Sequence, residues 1–283
     1  MMRMERVPGT PRIALDVTGT GPFVLFLHGI GGNRSNWRAQ STAFSEHFTF
    51  AAMDARGYGD SDDYSDALAF DDFVLDVVRV LDHYHVDRAH LVGLSMGGRV
   101  AMRTALLHPD RVATLTLVDT HEGFEAFSAQ QRRDFVESRR APLLSGKEPR
   151  DIAEPVARSL AGPKATPAHL EQLIESIASL HKASYIKSLE ATVAQINLGD
   201  ISRIRSPAHF IVGADDPLTP PRMHFEMAAK LCNAPVSVVP DAGHLSNIEN
   251  PESFNQAALA WLLPRSDAAT TPTIERGSGD GDE

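Results

Sequence analysis

The sequence predicts an α/β fold, a mostly parallel, doubly wound sheet with one helical segment inserted into it. Three observations carry that expectation. Short continuous apolar runs alternate with stretches whose apolar side chains recur at helical spacing, the rhythm of repeated strand–helix–strand units. Between residues 121 and 206 the rhythm stops, and helical patterns follow one another without a strand. It then resumes, and closes on a last helix before a polar end.

Arg12 to Val17 alternates weakly and runs into Thr18-Gly19-Thr20-Gly21-Pro22, turn chemistry that predicts a hairpin-like entry. Phe23 to His28 is a continuous apolar run, as expected of a strand buried on both faces of a parallel sheet. It empties into the loop Gly29-Ile30-Gly31-Gly32-Asn33, followed by a short helix from Ser35 to Phe44 and a strand from Phe48 to Met53. The polar connection after Met53 contains an acidic stretch, Asp60 to Asp66. It lacks the alternating ligands and terminal glutamate of a calcium loop, so a solvated loop is expected. Phe70, Phe73, Val74, Val77, Val78 and Leu81 form one helical stripe that leads to a buried strand over His90 to Leu94. A helix from Met96 to His108 and a strand from Val112 to Asp119 follow.

Helical patterns then cover Ala129 to Arg140, Arg150 to Leu160, Pro167 to His181 and Ser184 to Gln195, punctuated by prolines. A structureless loop of that length does not belong in a compact domain, so residues 121–206 read as a helical lid. Its apolar stripes need something to cover, and the mouth of a site is what lies beneath. Selectivity is expected to reside in the lid, with the chemistry assembled independently of it in the core, residues 1–120 and 207–264. The sheet resumes at His209 to Gly213, with a helix from Pro221 to Leu231, a strand over Val236 to Val239 and a final helix from Pro251 to Leu262. Residues 265–283 hold Asp267, Glu275, Asp280, Asp282 and Glu283 against Arg265 and Arg276, and read as a disordered acidic tail.

Composition narrows the function classes. A formal net charge of -10 opposes nucleic-acid binding, which needs clustered Lys and Arg. The one cysteine, Cys232, forms no internal disulfide, so no oxidising compartment is required. Met1 to Pro8 has no apolar core of signal-peptide length, and no run is long enough to span a bilayer. A cytoplasmic location, no membrane partner and no metal or cofactor are the expectations.

The chemistry centres on Gly93-Leu94-Ser95-Met96-Gly97-Gly98. A serine flanked two residues away on each side by glycine, between a strand and a helix, is a nucleophile turn too tight for side chains at the flanking positions. It pushes the Ser95 hydroxyl clear of the backbone and aims the first helix amides, starting with Met96 N–H, at negative charge forming beside it. Serine needs a base within hydrogen-bond reach. His244, in the turn Asp241-Ala242-Gly243-His244 after the last strand, stands at the carboxyl edge of the sheet, where open α/β sheets place their sites. His28 opens a glycine turn and is expected to brace it. An acid should orient the imidazole. Asp215 and Asp216 after the preceding strand are both candidates, with Asp119 a third.

With these residues in place, the chain resembles the α/β-hydrolase superfamily from about Phe23 to Leu262. The resemblance rests on ordered blocks: His28-Gly29-Ile30-Gly31, Asp54 to Ser61, Gly93 to Gly98, His108 to Val112, Asp216 to Pro220, and Gly243-His244. It implies Asp216 as the acid, three residues after Gly213 and four before Pro220, and Ile30 N–H as the second oxyanion donor. Gly93 to Arg99 and Ala242 to Pro251 are similar to the 3-oxoadipate enol-lactonase group and allied lactone and ester hydrolases. The His28 block departs from that group towards general esterases and carbon–carbon bond hydrolases. The resemblance implies a serine hydrolase of a small-molecule ester or lactone, with Ser95, Asp216 and His244 catalytic. Its rivals are a carbon–carbon bond hydrolase of dienone acids and a non-catalytic small-molecule receptor on the same fold.

Overall fold

The computed structural model describes residues 2–125 and 127–273. Eight strands form one sheet in the order β1-β2-β4-β3-β5-β6-β7-β8. β1 (Arg3–Val7) pairs antiparallel with β2 (Ile13–Thr18), and β2 pairs antiparallel with β4 (Thr49–Met53). From β4 onward every pairing is parallel: β3 (Phe23–Leu27), β5 (Ala89–Leu94), β6 (Val112–Val118), β7 (Ala208–Gly213) and β8 (Val236–Val239). The central strands β3, β5 and β6 are buried at every position, which is why β3 is an unbroken apolar run and β5 and β6 are apolar apart from the buried His90, Thr114 and Thr116.

The entry differs from the hairpin that the turn at Thr18–Pro22 suggests. β2 forms its hairpin backwards, with β1, and the turn carries the chain past β4 into β3. β1 escapes the sequence reading because Arg3-Met4-Glu5-Arg6 is largely exposed and only Val7 is buried, the composition of a protected edge.

Helices fill the parallel crossovers: α1 (Arg38–Ser45), α2 (Asp71–His83) and α3 (Met96–Leu107). α2 buries Phe73, Val74, Val77 and Leu81 of the stripe that its sequence spells out, and Val80 beside them, while Val78 is only half-buried. Between β6 and β7 stand four helices: α4 (Ala129–Leu144), α5 (Pro149–Leu160), α6 (Pro167–Ala178) and α7 (Lys182–Ala194). Pro149 and Pro167 open α5 and α6, where a missing N–H costs nothing. Pro142 and Pro155 instead lie inside α4 and α5, so α4 runs past the stop that its proline suggests. α8 (Pro221–Lys230), the one-turn α9 (Ser246–Glu249) and α10 (Pro251–Leu262) follow on either side of β8.

The tail is corrected in part. Leu263–Ala268 forms a 3-10 turn with the Arg265 guanidinium 3.5 Å from the centre of the Trp261 ring. Thr270 N–H then donates to Arg88 O at 2.8 Å, and Phe23 N–H donates to Thr270 O at 3.0 Å. The attachment uses backbone groups and one cation–π contact, which a count of apolar and acidic side chains does not register. The expectation for residues 274–283 lies outside the described residues. Ending the chain at Pro264 should lower Tm by roughly 5 °C, from about 2 kcal/mol of lost bonding at 2–4 °C per kcal/mol. An unchanged thermal scan would show that the docked segment contributes nothing.

Candidate active site

The site is built on the β5–α3 turn. Ser95 has φ 52° and ψ -114°, a conformation that L-residues rarely adopt. Its neighbours hold it there. Ser95 N–H donates to Val118 O at 2.9 Å, and Thr120 Oγ1 donates to Ser95 O at 2.6 Å. The flanking glycines are required by contact: a Cβ at Gly93 would lie 2.6 Å from Gly98 N, and one at Gly97 would lie 2.8 Å from His28 O. The elbow is therefore wedged between the ends of β3 and β6.

The loop after β3 closes on it. A Cβ at Gly29 would stand 3.2 Å from Ser95 Cβ, and Gly32 N–H donates to Gly29 O at 3.0 Å. His28 braces this loop: its Nε2 accepts from Ala55 N–H at 3.0 Å, which leaves Nδ1 to donate to Gly29 O at 2.8 Å. Burial lowers its pKa, and both ring nitrogens are already engaged. Ile30 and Ser95 line the same cavity, and Met96 opens α3, so its N–H has no intrahelical acceptor.

His244 reaches Ser95 from the turn after β8. Its Nε2 is 3.0 Å from Ser95 Oγ, and its Nδ1 is 2.9 Å from Asp216 Oδ2. Asp216 has no proton to donate as a carboxylate, so Nδ1 carries the hydrogen and Nε2 is free to accept from the serine. Asp216 is itself fixed by Leu218 N–H at 2.8 Å, Thr219 N–H at 2.9 Å and the Thr219 hydroxyl at 2.7 Å. Burial works against its charge, but the imidazole and these donors outweigh it and hold the carboxyl below the usual range. Burial likewise opposes the imidazolium of His244, yet Asp216 and then Asp119 raise its pKa above the ordinary histidine value. Asp215 is exposed.

Asp119, the third candidate acid, does something else. One oxygen accepts from Gly213 N–H at 2.8 Å, and the other accepts from Ser246 N–H at 2.9 Å and the Ser246 hydroxyl at 2.7 Å. It clamps the loops that carry Asp216 and His244 to the end of β6. Burial and the charge of Asp216 push its pKa up. The sequence places Asp119 at a strand end but cannot show which loops meet it.

Arg99 is absent from the sequence reading as a functional residue. Fully buried on α3, it donates to Thr192 O at 2.7 Å and to Gln195 O at the carboxyl end of α7. Its guanidinium lies between Phe70 and Phe124, 5.0 and 4.9 Å from the ring centres. Burial pushes its pKa down to about 9, so it remains cationic at neutral pH. Helix-end carbonyls, where partial negative charge collects, stand in for a carboxylate. A basic residue one turn into a helix that must pack on a sheet is the signal that was there to find.

Ser95 lies where two spaces meet. A cavity of about 730 Å³ is lined by Met96, Arg99, Phe124, Phe127, Phe135 and Arg139, and a recess of about 30 Å³ by Gly31, Asn36, Leu173, Ile177 and His244. Of the inserted helices, α4 and α5 supply walls to both, α6 to the recess and α7, through Thr192, to the cavity. The end of α5 also touches the His244 backbone: His244 N–H donates to Leu160 O at 2.9 Å. The insertion therefore contacts the turn that carries His244 as well as lining the space beside Ser95. Among the described residues no three His, Cys, Asp or Glu side chains are grouped to hold a metal, and no helix is long and apolar enough to cross a membrane.

The chain is similar in sequence and fold to known proteins. The chain is 31% identical over 252 residues to the dihydrolipoyllysine-residue acetyltransferase component of an acetoin cleaving system from Pseudomonas putida. That match covers 86% of this chain but only 64% of the relative's length. It is 27% identical to 3-oxoadipate enol-lactonase 2 from Acinetobacter baylyi, over 85% of this chain and 88% of that protein. Among solved structures, a thermophilic esterase from Thermogutta terrifontis with malate bound superposes with a TM-score of 0.84 at 27% identity, covering 93% of this chain and 99% of the esterase. The family profile described as alpha/beta hydrolase fold matches residues 22–251. The chain belongs to the α/β-hydrolase family.

Proposed function

We propose that the protein is a serine hydrolase of small-molecule carboxylic esters or lactones. The observation that carries this reading is the line Ser95 Oγ, His244 Nε2, His244 Nδ1, Asp216 Oδ2, with separations of 3.0 and 2.9 Å at its two hydrogen bonds. Ser95 Oγ attacks the carbonyl carbon while His244 takes the hydroxyl proton, and Asp216 stabilises the imidazolium that forms. The carbonyl oxygen becomes an oxyanion, held by the amides of Met96 and Ile30. The imidazolium gives its proton to the leaving oxygen as the C–O bond breaks. A water that loses its proton to His244 then releases the acid from Ser95. The similarity to an esterase and an enol-lactonase supports the ester or lactone as the bond cleaved.

p-Nitrophenyl acetate should give a burst of p-nitrophenol followed by steady turnover. The ratio kcat/KM should fall as pH drops through the pKa of His244, because the imidazolium cannot accept the serine proton. That pKa is raised, so the acid limb should lie above the ordinary histidine value of 6.5. Absence of both burst and turnover would defeat the hydrolase reading, and an acid limb well below 6.5 would mean that another group is the base.

A further inference from the structure

The segment after His244 runs Leu245-Ser246-Asn247-Ile248-Glu249-Asn250-Pro251, and its polar side chains each tie down a different part of the molecule. Ser246 bonds Asp119 in the core. Asn247 Nδ2 donates to Asn36 O at 2.8 Å, and Asn250 Oδ1 caps α10 through Ser253 N–H at 3.2 Å. Glu249 alone reaches into the insertion. Its Oε2 accepts from Gly162 N–H at 2.9 Å, at the corner between α5 and α6.

That corner lies directly on the base-carrying turn. Leu160 O accepts the amide of His244 itself. A Cβ at Gly162 would lie 2.6 Å from Gly243 N and 3.0 Å from Glu249 Oε2, so the two backbones cross at a distance only glycine permits. Outside the crossing, Lys164 Nζ pairs with Asp241 at 2.7 Å. Glu249 is 7% exposed and forms no ion pair among the described residues. Burial raises its pKa, while the amides of Gly162, Gly243 and Leu245, and more weakly His169 on α6, favour the carboxylate. The carboxylate makes one hydrogen bond across the joint, from Gly162 N–H to Oε2, and its Oε1 is buried with no hydrogen-bond partner among the described residues.

We infer that Glu249 is a positioning residue that joins the α5–α6 corner to the His244 turn, so that the base stays within reach of Ser95 only while the insertion is seated. The inference rests on the reading of Ser95 and His244 as nucleophile and base. It makes the insertion part of the mounting of the base as well as a wall of the cavity. Val156 and Leu160 on α5 line that cavity, so a substrate that seats the insertion also seats the imidazole.

The test uses the full chain with Glu249→Gln, which keeps the side chain's shape, and Gly162→Ala, which keeps the carboxylate and presses a methyl on Gly243. Amide hydrogen exchange over residues 160–164 and 241–246, followed by mass spectrometry without substrate, should speed up in both segments together in each variant. With p-nitrophenyl acetate, kcat should fall on the order of 10²-fold, the effect of an ångström-scale misplacement, while KM changes less than about threefold. Labelling of Ser95 by a fluorophosphonate probe should slow in parallel. Faster exchange confined to residues 160–164, or kcat within about twofold of the parent, would overturn the inference. If Glu249→Gln does not fold, Gly162→Ala decides by the same two criteria. If the parent neither turns over the ester nor reacts with the probe, the hydrolase reading fails, and the exchange measurement still decides whether insertion and turn move as one.

Discussion

Ser95→Ala will leave a folded protein without esterase turnover. In enzymes with this relay, losing the nucleophile or the base alone costs on the order of 10⁶ in kcat, about as much as losing the whole set. Here the reason is geometric. His244 Nε2 has one acceptor task, and only Ser95 Oγ stands 3.0 Å from it. The substitution deletes a hydroxyl that is 8% exposed and leaves Val118 O and Thr120 bonded to the same backbone. Melting temperature should therefore stay within about 2 °C of the parent, because alanine inherits the same strained backbone angles. His244→Ala should be comparably inactive, and the double variant no worse than either single. Turnover above a few per cent in purified Ser95→Ala, with trace contamination excluded by active-site titration, would move the nucleophile elsewhere.

Asp216→Asn should lower turnover on the order of 10⁴-fold, because an amide at that position holds the imidazole in the wrong tautomer. The introduced amide presents its NH₂ to His244 Nδ1, which turns that nitrogen into an acceptor and puts the proton on Nε2, facing the serine. Asp215→Asn should change turnover by less than about twofold, since its exposed side chain is not part of the relay. Steady-state hydrolysis of p-nitrophenyl acetate by the two variants separates the neighbours directly. A larger defect at Asp215 than at Asp216 would reverse the assignment of the acid.

Much of this arrangement is legible in the chain because it depends on local rules. Burial on both faces writes β3, β5 and β6 as apolar runs, and the elbow's contacts with neighbouring backbone write its two glycines. The spacing of Gly213 and Pro220 singles out Asp216 from Asp215 once the family resemblance is in hand. What stays hidden depends on partners distant in sequence. Asp119 meets residues 94 and 127 positions away, and nothing local distinguishes a carboxylate that orients a ring from one that ties two loops. Arg99 bonds carbonyls at the carboxyl end of α7, and Glu249 an amide of the insertion, so neither has a charged partner for a sequence reading to find. β1 and the docked Thr270 are held mostly by main-chain bonds, which leave little side-chain pattern to read.

The backbone angles of Ser95 carry a cost for the whole molecule. A non-glycine residue held in that region gives up about 1–3 kcal/mol, a substantial share of the roughly 5–15 kcal/mol that separates a typical folded domain from its unfolded chain. Glycine at the same position would relieve most of that burden and abolish the hydroxyl. The most stable version of this elbow is therefore one without the hydroxyl, and any lineage selected for thermal endurance alone would drift towards losing Ser95. Endurance with the hydroxyl retained has to come from elsewhere, from sites such as the tail's docking on Arg88, where added stability does not compete with the chemistry.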